Sequence, residues 1–559
     1  MSTEAVAAHA ASPVEAIKRA SRGLRGTLVE SLADPVTGAL RDPDTHVLKF
    51  HGTYQQDDRD TRETRRVRKL EPAYSFMLRA RLPGGALTPA QWIALDDVAG
   101  RYANGTLRLT TRQAVQLHGV VKRALKPTLA KINAAMVDTL GACGDVNRNV
   151  IASAVPAQPA LYTDVQAQAA AISSHLLPKT RAYHEIWLDE SPSGAIEEEP
   201  VYGTTFLPRK FKIAIAVPPY NDVDVFAHDL GYVAIVEHGA IVGYDVTVGG
   251  GLGATHGDPT TYPRLADVLG HVPPERVVAI AEAVAALQRD EGERGDRKHA
   301  RFKYTVERLG LARVREEVER RAGFALAPAR GFTFEHNGDR FGWLDAGGGA
   351  GHYTLRVPAG RVADVDGVQF RSGVLAVARG AFGTFRITPN QNLVIANVTA
   401  ARRDALEALL TAHGLVRTQS ATARAALACV ALPTCPLAMA EAERYLPAFV
   451  ARVEALQETH GIGDTAIRIR ITGCPNGCAR PNLAEIGLIG KAPGRYNLHL
   501  GADVAGQRLN VRYRENVDET QIVAALDPLF ARYAGERRKV EPFGDWLWRA
   551  GVLGAEGRQ

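Results

Sequence analysis

The feature that most limits what this chain can fold into is that it repeats itself. Arg108-Leu-Thr-Thr-Arg-Gln113 returns, position for position, as Arg386-Ile-Thr-Pro-Asn-Gln391. Both copies run on into an apolar, strand-like stretch, AVQLHGVV and NLVIANVT. Each follows an extended segment (FMLRARLPGG, YTLRVPAG) and a stretch with the hydrophobic spacing of an amphipathic helix. Each half then leads into a cysteine, Cys143 in GACGDVNRNV and Cys429 in LACVALPTC. Two matched segments in the same order predict a duplicated α+β unit. At 559 residues the chain has room for several domains sharing large interfaces.

The remaining pattern agrees. FKIAIAV, YVAIVEHGAIVGYDVTVGG, AIRIRIT and YNLHLG read as strands, the second with the period-two alternation of a half-buried sheet. DVQAQAAAISSHLL, PERVVAIAEAVAALQRDEG, AMAEAERYLPAFVARVEALQETHG and ETQIVAALDPLFARYAGERR read as helices. Residues 1–70 are charged and poor in apolar periodicity, which predicts an arm that wraps or docks. The Gly-rich run at 346–351 falls inside the opening of the second repeat, so it marks a turn and not a domain border.

Composition removes whole classes of function. Hydrophobic residues are 46% and charged residues 23%, the balance of a soluble globular protein. A net charge of +6 is a mild bias towards anionic partners, and aromatics are only 7% and dispersed. A zinc-bearing nucleic-acid binder would need a concentrated Arg/Lys stripe with interleaved aromatics, so no nucleic-acid partner is expected. No run approaches ~18 apolar residues, so no membrane span is expected either. The Ala-rich N-terminus carries Glu4 and Glu15 and lacks a signal layout, leaving the cytoplasm as the default location.

The five cysteines are unevenly placed. Cys143 stands alone, while Cys429, Cys435, Cys474 and Cys478 share one window as Cys-x5-Cys and Cys-x3-Cys. In a reducing compartment such a group points to metal before disulfides. Zinc ribbons bring ligands from a Cys-x2-Cys knuckle at each end, and neither pair has that spacing. A four-thiolate iron–sulfur cluster has looser rules. Pro follows both Cys435 and Cys474, where a fixed φ helps the chain turn about a bulky core. Iron–sulfur is the favoured reading; zinc and four buried structural thiols stay open. The matching region of the first half offers cations instead: Arg112, Arg148, and the pair Lys210 and Lys212 in LPRKFK. Two apart on an expected strand, the lysines point the same way. One copy is thus expected to hold a redox centre and the other a small anion.

Together, KFHGTYQQDDRD at 49–60, RLTTRQAVQLHG at 108–119, GDVNRNV at 144–150, LPRKFK at 207–212, CVALPTCPLAMAEAERYLP at 429–447 and TGCPNGCARPNLAEIGLIGKAPGRYNLHLG at 472–501 carry a resemblance. They resemble the sulfite/nitrite reductase family, and within it the assimilatory, NADPH-type branch. The resemblance runs over nearly the whole chain in order. It implies an α+β fold with pseudo-two-fold duplication: a paired-half ferredoxin-like domain, plus two larger domains that sandwich a siroheme coupled to a 4Fe–4S cluster. The expected borders are an arm at 1–70 and ferredoxin-like halves at 71–140 and 336–415. A siroheme and substrate-anion domain is expected at 141–335, and a cluster domain at 416–559.

The resemblance also implies roles. Cys429, Cys435, Cys474 and Cys478 would hold the cluster, and Cys478 would also be the proximal ligand of the siroheme iron. Arg112, Arg148, Lys210 and Lys212 match the family's distal anion pocket. Arg297, Arg301 and Lys303 are expected to meet siroheme carboxylates, with a plain surface role still open. Cys143 lies where some members carry a Tyr–Cys thioether; Tyr74 is the expected partner, and an ordinary buried thiol is the alternative. The implied reaction is the six-electron reduction of sulfite to sulfide. Nitrite-reducing members typically have Asn where this chain has Lys212, which favours sulfite over the nitrite alternative. VGGGLG at 248–253 lacks the strand–turn–helix spacing and later acidic residue of a dinucleotide site. Electrons are therefore expected from a separate flavoprotein subunit, with a ferredoxin as the alternative.

Overall fold

A computed structural model describes residues 10–191, 199–365 and 367–554; the first nine residues of the expected arm lie outside them. The repeat builds two five-stranded antiparallel sheets. The first runs Thr53–Asp57, Tyr74–Arg79, Val115–Val120, Leu107–Leu109 and Arg361–Val362. The second runs Gly342–Gly347, Ala350–Leu355, Leu393–Thr399, Thr384–Ile387 and Ala86–Leu87. Each sheet is thus closed by a two-residue strand lent by the other half. Covering an edge in this way leaves fewer unpaired backbone groups and locks the halves together.

The repeated motif makes this exchange possible. Thr110 Oγ1 accepts from the backbone N–H groups of Arg112 and Ala114, and Thr388 Oγ1 does the same for Asn390 and Asn392. Both turns end on a glutamine with positive φ, Gln113 at +49° and Gln391 at +68°. Gln113 Nε2 then donates across to Ile387 O at 2.8 Å, and Gln391 Nε2 to Ala359 O at 3.3 Å. The crossing chains touch at Gly85 and Gly360, both at φ +75°, where a Cβ would lie 2.5 Å from Ile387 O and 2.2 Å from Leu109 O. Only glycine fits there. Gly360→Ala is expected to cost about 2–3 kcal/mol, read as a lowered thermal or urea midpoint; an unchanged midpoint would mean the crossing is loose.

Two larger sheets repeat a second pattern. Ile151–Ala152, Ile213–Ala216 and Leu230–Glu237 are parallel, followed antiparallel by Ala240–Val248 and Asp267–Val272. Leu427–Ala428, Ile469–Thr472 and Ile486–Ala492 are parallel, followed antiparallel by Arg495–Leu500 and Val511–Val517. Order and sense are the same. Details match too: Lys212 N donates to Asp229 and Arg468 N to Glu485, each at 2.9 Å. Near the junction of the two units, Asp224 and Arg480 hold equivalent places. Each has positive φ (+51° and +55°) and opens a 3-10 turn, and their buried side chains form an ion pair that Arg470 joins.

The arm docks. Leu24, Leu28, Val47, Leu48 and Phe50 enter the principal core. Buried Lys18 donates to Leu207 O at 2.8 Å and pairs with Glu15, anchoring the arm beside the loop that leads to Lys210. Its last strand, Thr53–Asp57, is the edge of the first sheet, so that sheet starts upstream of residue 71.

Two sequence expectations are redrawn. The helix expected from Ala438 starts only at Leu446, because the N–H groups of Met439 and Ala440 donate to Gly473 O and bind this loop to the cysteine turn. YVAIVEHGAIVGYDVTVGG is a hairpin, turning at His238 and Gly239, both of positive φ. The Gly-rich run at 346–351 is a hairpin turn, as expected.

Candidate functional site

The cysteines sit just beyond the ends of parallel strands: Cys429 follows Leu427–Ala428, and Cys474 and Cys478 follow Ile469–Thr472. Ligand crevices open at such strand ends in mixed α/β sheets. Cys429 Sγ accepts from Gly473 N at 3.3 Å and Cys474 Sγ from Asn476 Nδ2 at 3.4 Å. Thr111 Oγ1, from the first repeat motif, donates to Cys478 O at 2.9 Å and pins the turn. Burial raises the Cys429 thiol, and the thiols of Cys478, Cys435 and Cys474 push it further. Burial pushes Cys435 up to about 11, again with Cys478 adding to the effect. Left alone, these thiols are protonated; a metal charge is what makes them thiolates. Among the described residues no three His, Cys, Asp or Glu side chains are placed to hold a single metal ion. A multi-iron core gives each sulfur its own iron and spreads its ligands wider than one zinc ion does. Four soft thiol donors gathered beyond the strand ends are a ligand set that suits an iron–sulfur core.

Facing the cysteines are the lysines. Lys210 and Lys212 flank Phe211, which is bridged to Asn147, just ahead of the strand Ile213–Ala216. Burial pushes Lys210 down to about 7, helped by Arg209 and Arg301 and opposed by Cys478. Burial likewise holds Lys212 well below the usual lysine range, with Lys210, Arg301 and Arg112 adding repulsion and Cys478 opposing it. Arg148 is buried and donates Nε to Gly144 O at 2.7 Å. Arg112 donates to Ile213 O at 3.0 Å and to Asn149 O, and burial followed by Arg480 brings it down to about 9. The two groups singled out in separate halves of the sequence thus converge.

Sequence reasoning missed Arg79 and Arg209. Arg79 ends the strand Tyr74–Arg79 and donates Nη1 to Cys143 Sγ at 3.1 Å. Burial lowers Arg209, an effect that Asp145 opposes and Arg297 reinforces. Neither carries a spacing signature; one arginine on a strand looks like any other. The buried Nε atoms of Arg79 and Arg112 have no acceptor. Orphaned guanidinium donors around a cleft with few acids fit a polycarboxylate such as siroheme beside a small anion.

Three expectations are corrected. Tyr74 pairs in register with Asp57, whereas Tyr54 pairs with Met77 further along the same two strands. It is Tyr54 whose phenol is raised by burial and by Cys143 and bonded by Arg148, so Tyr74 is not the neighbour of Cys143. Lys303 spends all three ammonium protons on Gly251 O, Gly253 O and Tyr262 O, leaving none for a cofactor carboxylate. Arg297 pairs with Asp145 at 3.0 Å and buried Arg301 with Asp229 at 2.9 Å, so both are held by protein acids. Arg301 still adds its charge to the field at Lys210 and Lys212.

The depressed Lys210 has a pH signature. Between about 7 and its unfolded value near 10.5 the unfolded chain binds a proton that the folded chain does not, so this group's penalty shrinks as pH rises. In cofactor-free protein, the melting temperature of wild type minus that of Lys210→Met is expected to rise from pH 7 to pH 9. A flat or falling difference would contradict the assignment.

Comparison with known proteins agrees with this geometry. A family model described as the nitrite/sulfite reductase ferredoxin-like half domain matches residues 68–135 and again 346–413. A second, the nitrite and sulphite reductase 4Fe-4S domain, matches 167–326, the copy of the larger unit that lacks the four cysteines. The chain belongs to the nitrite and sulfite reductase family. It is 61% identical over 542 residues to the sulfite reductase (NADPH) hemoprotein beta-component of Myxococcus xanthus, covering 97% of this chain and 96% of that protein. Identity to the protein of the same description from Xanthomonas oryzae pv. oryzae is 59% over 548 residues, with the same coverages. The solved structure of the Mycobacterium tuberculosis NirA protein superposes with a TM-score of 0.78 at 25% identity, over 96% of this chain and 95% of that one. The expected α+β duplication stands. No helix among the described residues is long and apolar enough to cross a membrane.

Proposed function

We propose that this chain reduces sulfite to sulfide by six electrons, using a siroheme joined to a 4Fe–4S cluster and a flavoprotein subunit as electron donor. The observation that carries the reading is the convergence of four thiols with Lys210, Lys212 and Arg148 on one cleft. Cys429, Cys435, Cys474 and Cys478 would hold the cluster, with Cys478 shared with the siroheme. The bound pair supplies electrons at one iron. Everything else falls to the protein. Arg148 and Arg79 carry permanent charges and orient an anion. Lys210 and Lys212 add charge and, with depressed pKa values, give up a proton at Nζ that an arginine cannot. Burial keeps bulk water away and strengthens each of these interactions.

Lys212 also bears on which anion is preferred. Sulfite is a dianion and nitrite a monoanion, so the extra cation favours sulfite. With reduced methyl viologen as donor, kcat/KM is expected to be higher for sulfite than for nitrite. Lys212→Asn is expected to narrow that ratio by about tenfold. A nitrite preference in the wild type would assign the chain to nitrite reduction instead.

A further inference from the structure

The cleft that gathers thiols and lysines has a counterpart. A second cavity, of about 860 Å³, lies where the internal two-fold carries the first. Matching hydrogen bonds fix the equivalence. Arg468 N donates to Glu485 as Lys212 N does to Asp229. Val217 N donates to Ser153 Oγ at 3.2 Å as Gly473 N does to Cys429 Sγ at 3.3 Å. On that register Arg424 stands for Arg148, Arg468 for Lys212 and Asn390 for Arg112, and all three line the second cavity.

The thiols have no counterpart. Ser153 replaces Cys429 and Asp222 replaces Cys478, and the two are hydrogen-bonded to each other at 2.6 Å. Without soft thiolates an iron–sulfur core has nothing to hold it, so this cavity is not a second redox centre. Its cationic character remains. Arg468 and Arg470 are buried and each has an Nε without a hydrogen-bond acceptor, although Arg468 lies 3.9 Å from Glu485 and Arg470 pairs with Asp224 through its terminal nitrogens. Among the described residues the Arg424 guanidinium is placed only against the ring of Phe341, at 5.9 Å, and Arg537, Arg538 and Lys539 bring further positive charge to the lining. The acids there are largely committed. Glu485 accepts from Arg468 N and Gly544 N, Asp339 from Thr388, Asn390 and Asn392, and Glu541 is gripped by Arg549. Asp464 has one long contact, from Thr465 at 3.5 Å. Buried guanidinium N–H groups without acceptors are costly, and an incoming anion would relieve them. The volume is that of a small-molecule site.

We propose that this cavity is a second anion-binding site, taking a small molecule with several phosphate or carboxylate groups and no part in electron transfer. The test is calorimetric titration of the cofactor-loaded protein with inorganic diphosphate and, separately, with citrate. Saturable binding of either is expected, weakened by about tenfold or more in the Arg424→Ala/Arg538→Ala variant while sulfite turnover is retained. Arg424→Lys/Arg538→Lys should recover most of the affinity. Tighter diphosphate binding would identify phosphate as the recognised group, and tighter citrate binding carboxylate. Absence of binding, binding that the alanine variant leaves unchanged, or binding that sulfite displaces would each overturn the proposal.

Discussion

Cys478→Ala is expected to yield a folded protein that has lost its visible absorption and its sulfite turnover together. The Cys478 side chain is exposed to the cleft and absent from the hydrophobic cores, so its removal should change the stability of the cofactor-free fold by no more than about 1 kcal/mol. The consequence is chemical. Electrostatically Cys478 is the thiol that the others share: it acts on Cys429, Cys435 and Cys474 and on the ammonium groups of Lys210 and Lys212 opposite. On the proposed reading, removing it would open the cluster and take away the thiolate through which the two cofactors would be joined. Absorption spectra and far-ultraviolet circular dichroism of the variant, beside Cys143→Ala as a control, separate loss of cofactor from loss of fold. An intact siroheme spectrum in Cys478→Ala would exclude it as the shared ligand.

Lys212→Ala should do the reverse: keep the spectrum and lose the chemistry. Its Nζ lies within a group of buried cations that holds it well below the usual lysine range, and an anion arriving beside it would favour the charged form and leave a proton to be given up. Removing a positioned general acid costs about 10²–10⁴-fold in turnover. Lys212→Arg should restore charge without the proton and recover only part of that loss, chiefly in KM. If Lys212→Ala loses siroheme in proportion to activity, Lys212 is a structural residue and the proton must come from Lys210 or elsewhere.

How much of this was legible in the sequence depended on whether a residue's role leaves a pattern. The duplication was readable because the turn that exchanges strands needs threonine and glutamine at fixed places, and Thr110 with Gln113 and Thr388 with Gln391 supply them. The grouping of four cysteines was visible because they share one short window, and the fold brings Cys429, Cys435, Cys474 and Cys478 within reach of one another's charge. The two lysines were readable because LPRKFK sets them two apart. Arg79 was not, since a strand-end arginine is defined only by what it faces across the fold. Lys303 was misread for the same reason: DRKHARFKYT is basic, yet three backbone carbonyls had already claimed its ammonium. Tyr74 and Tyr54 could be separated only by register, which places Tyr54 opposite Met77 and Tyr74 opposite Asp57. The exchange of Arg361–Val362 and Ala86–Leu87 between sheets was likewise invisible, because two-residue strands carry no periodicity.

What most directly probes the shared metal–sulfur core is an absorption spectrum of the purified protein, taken before and after adding sulfite, with iron, acid-labile sulfide and zinc measured on the same sample. A coloured protein rich in iron and sulfide, with siroheme bands that move when the anion arrives, is the predicted outcome. A colourless protein carrying zinc would contradict it.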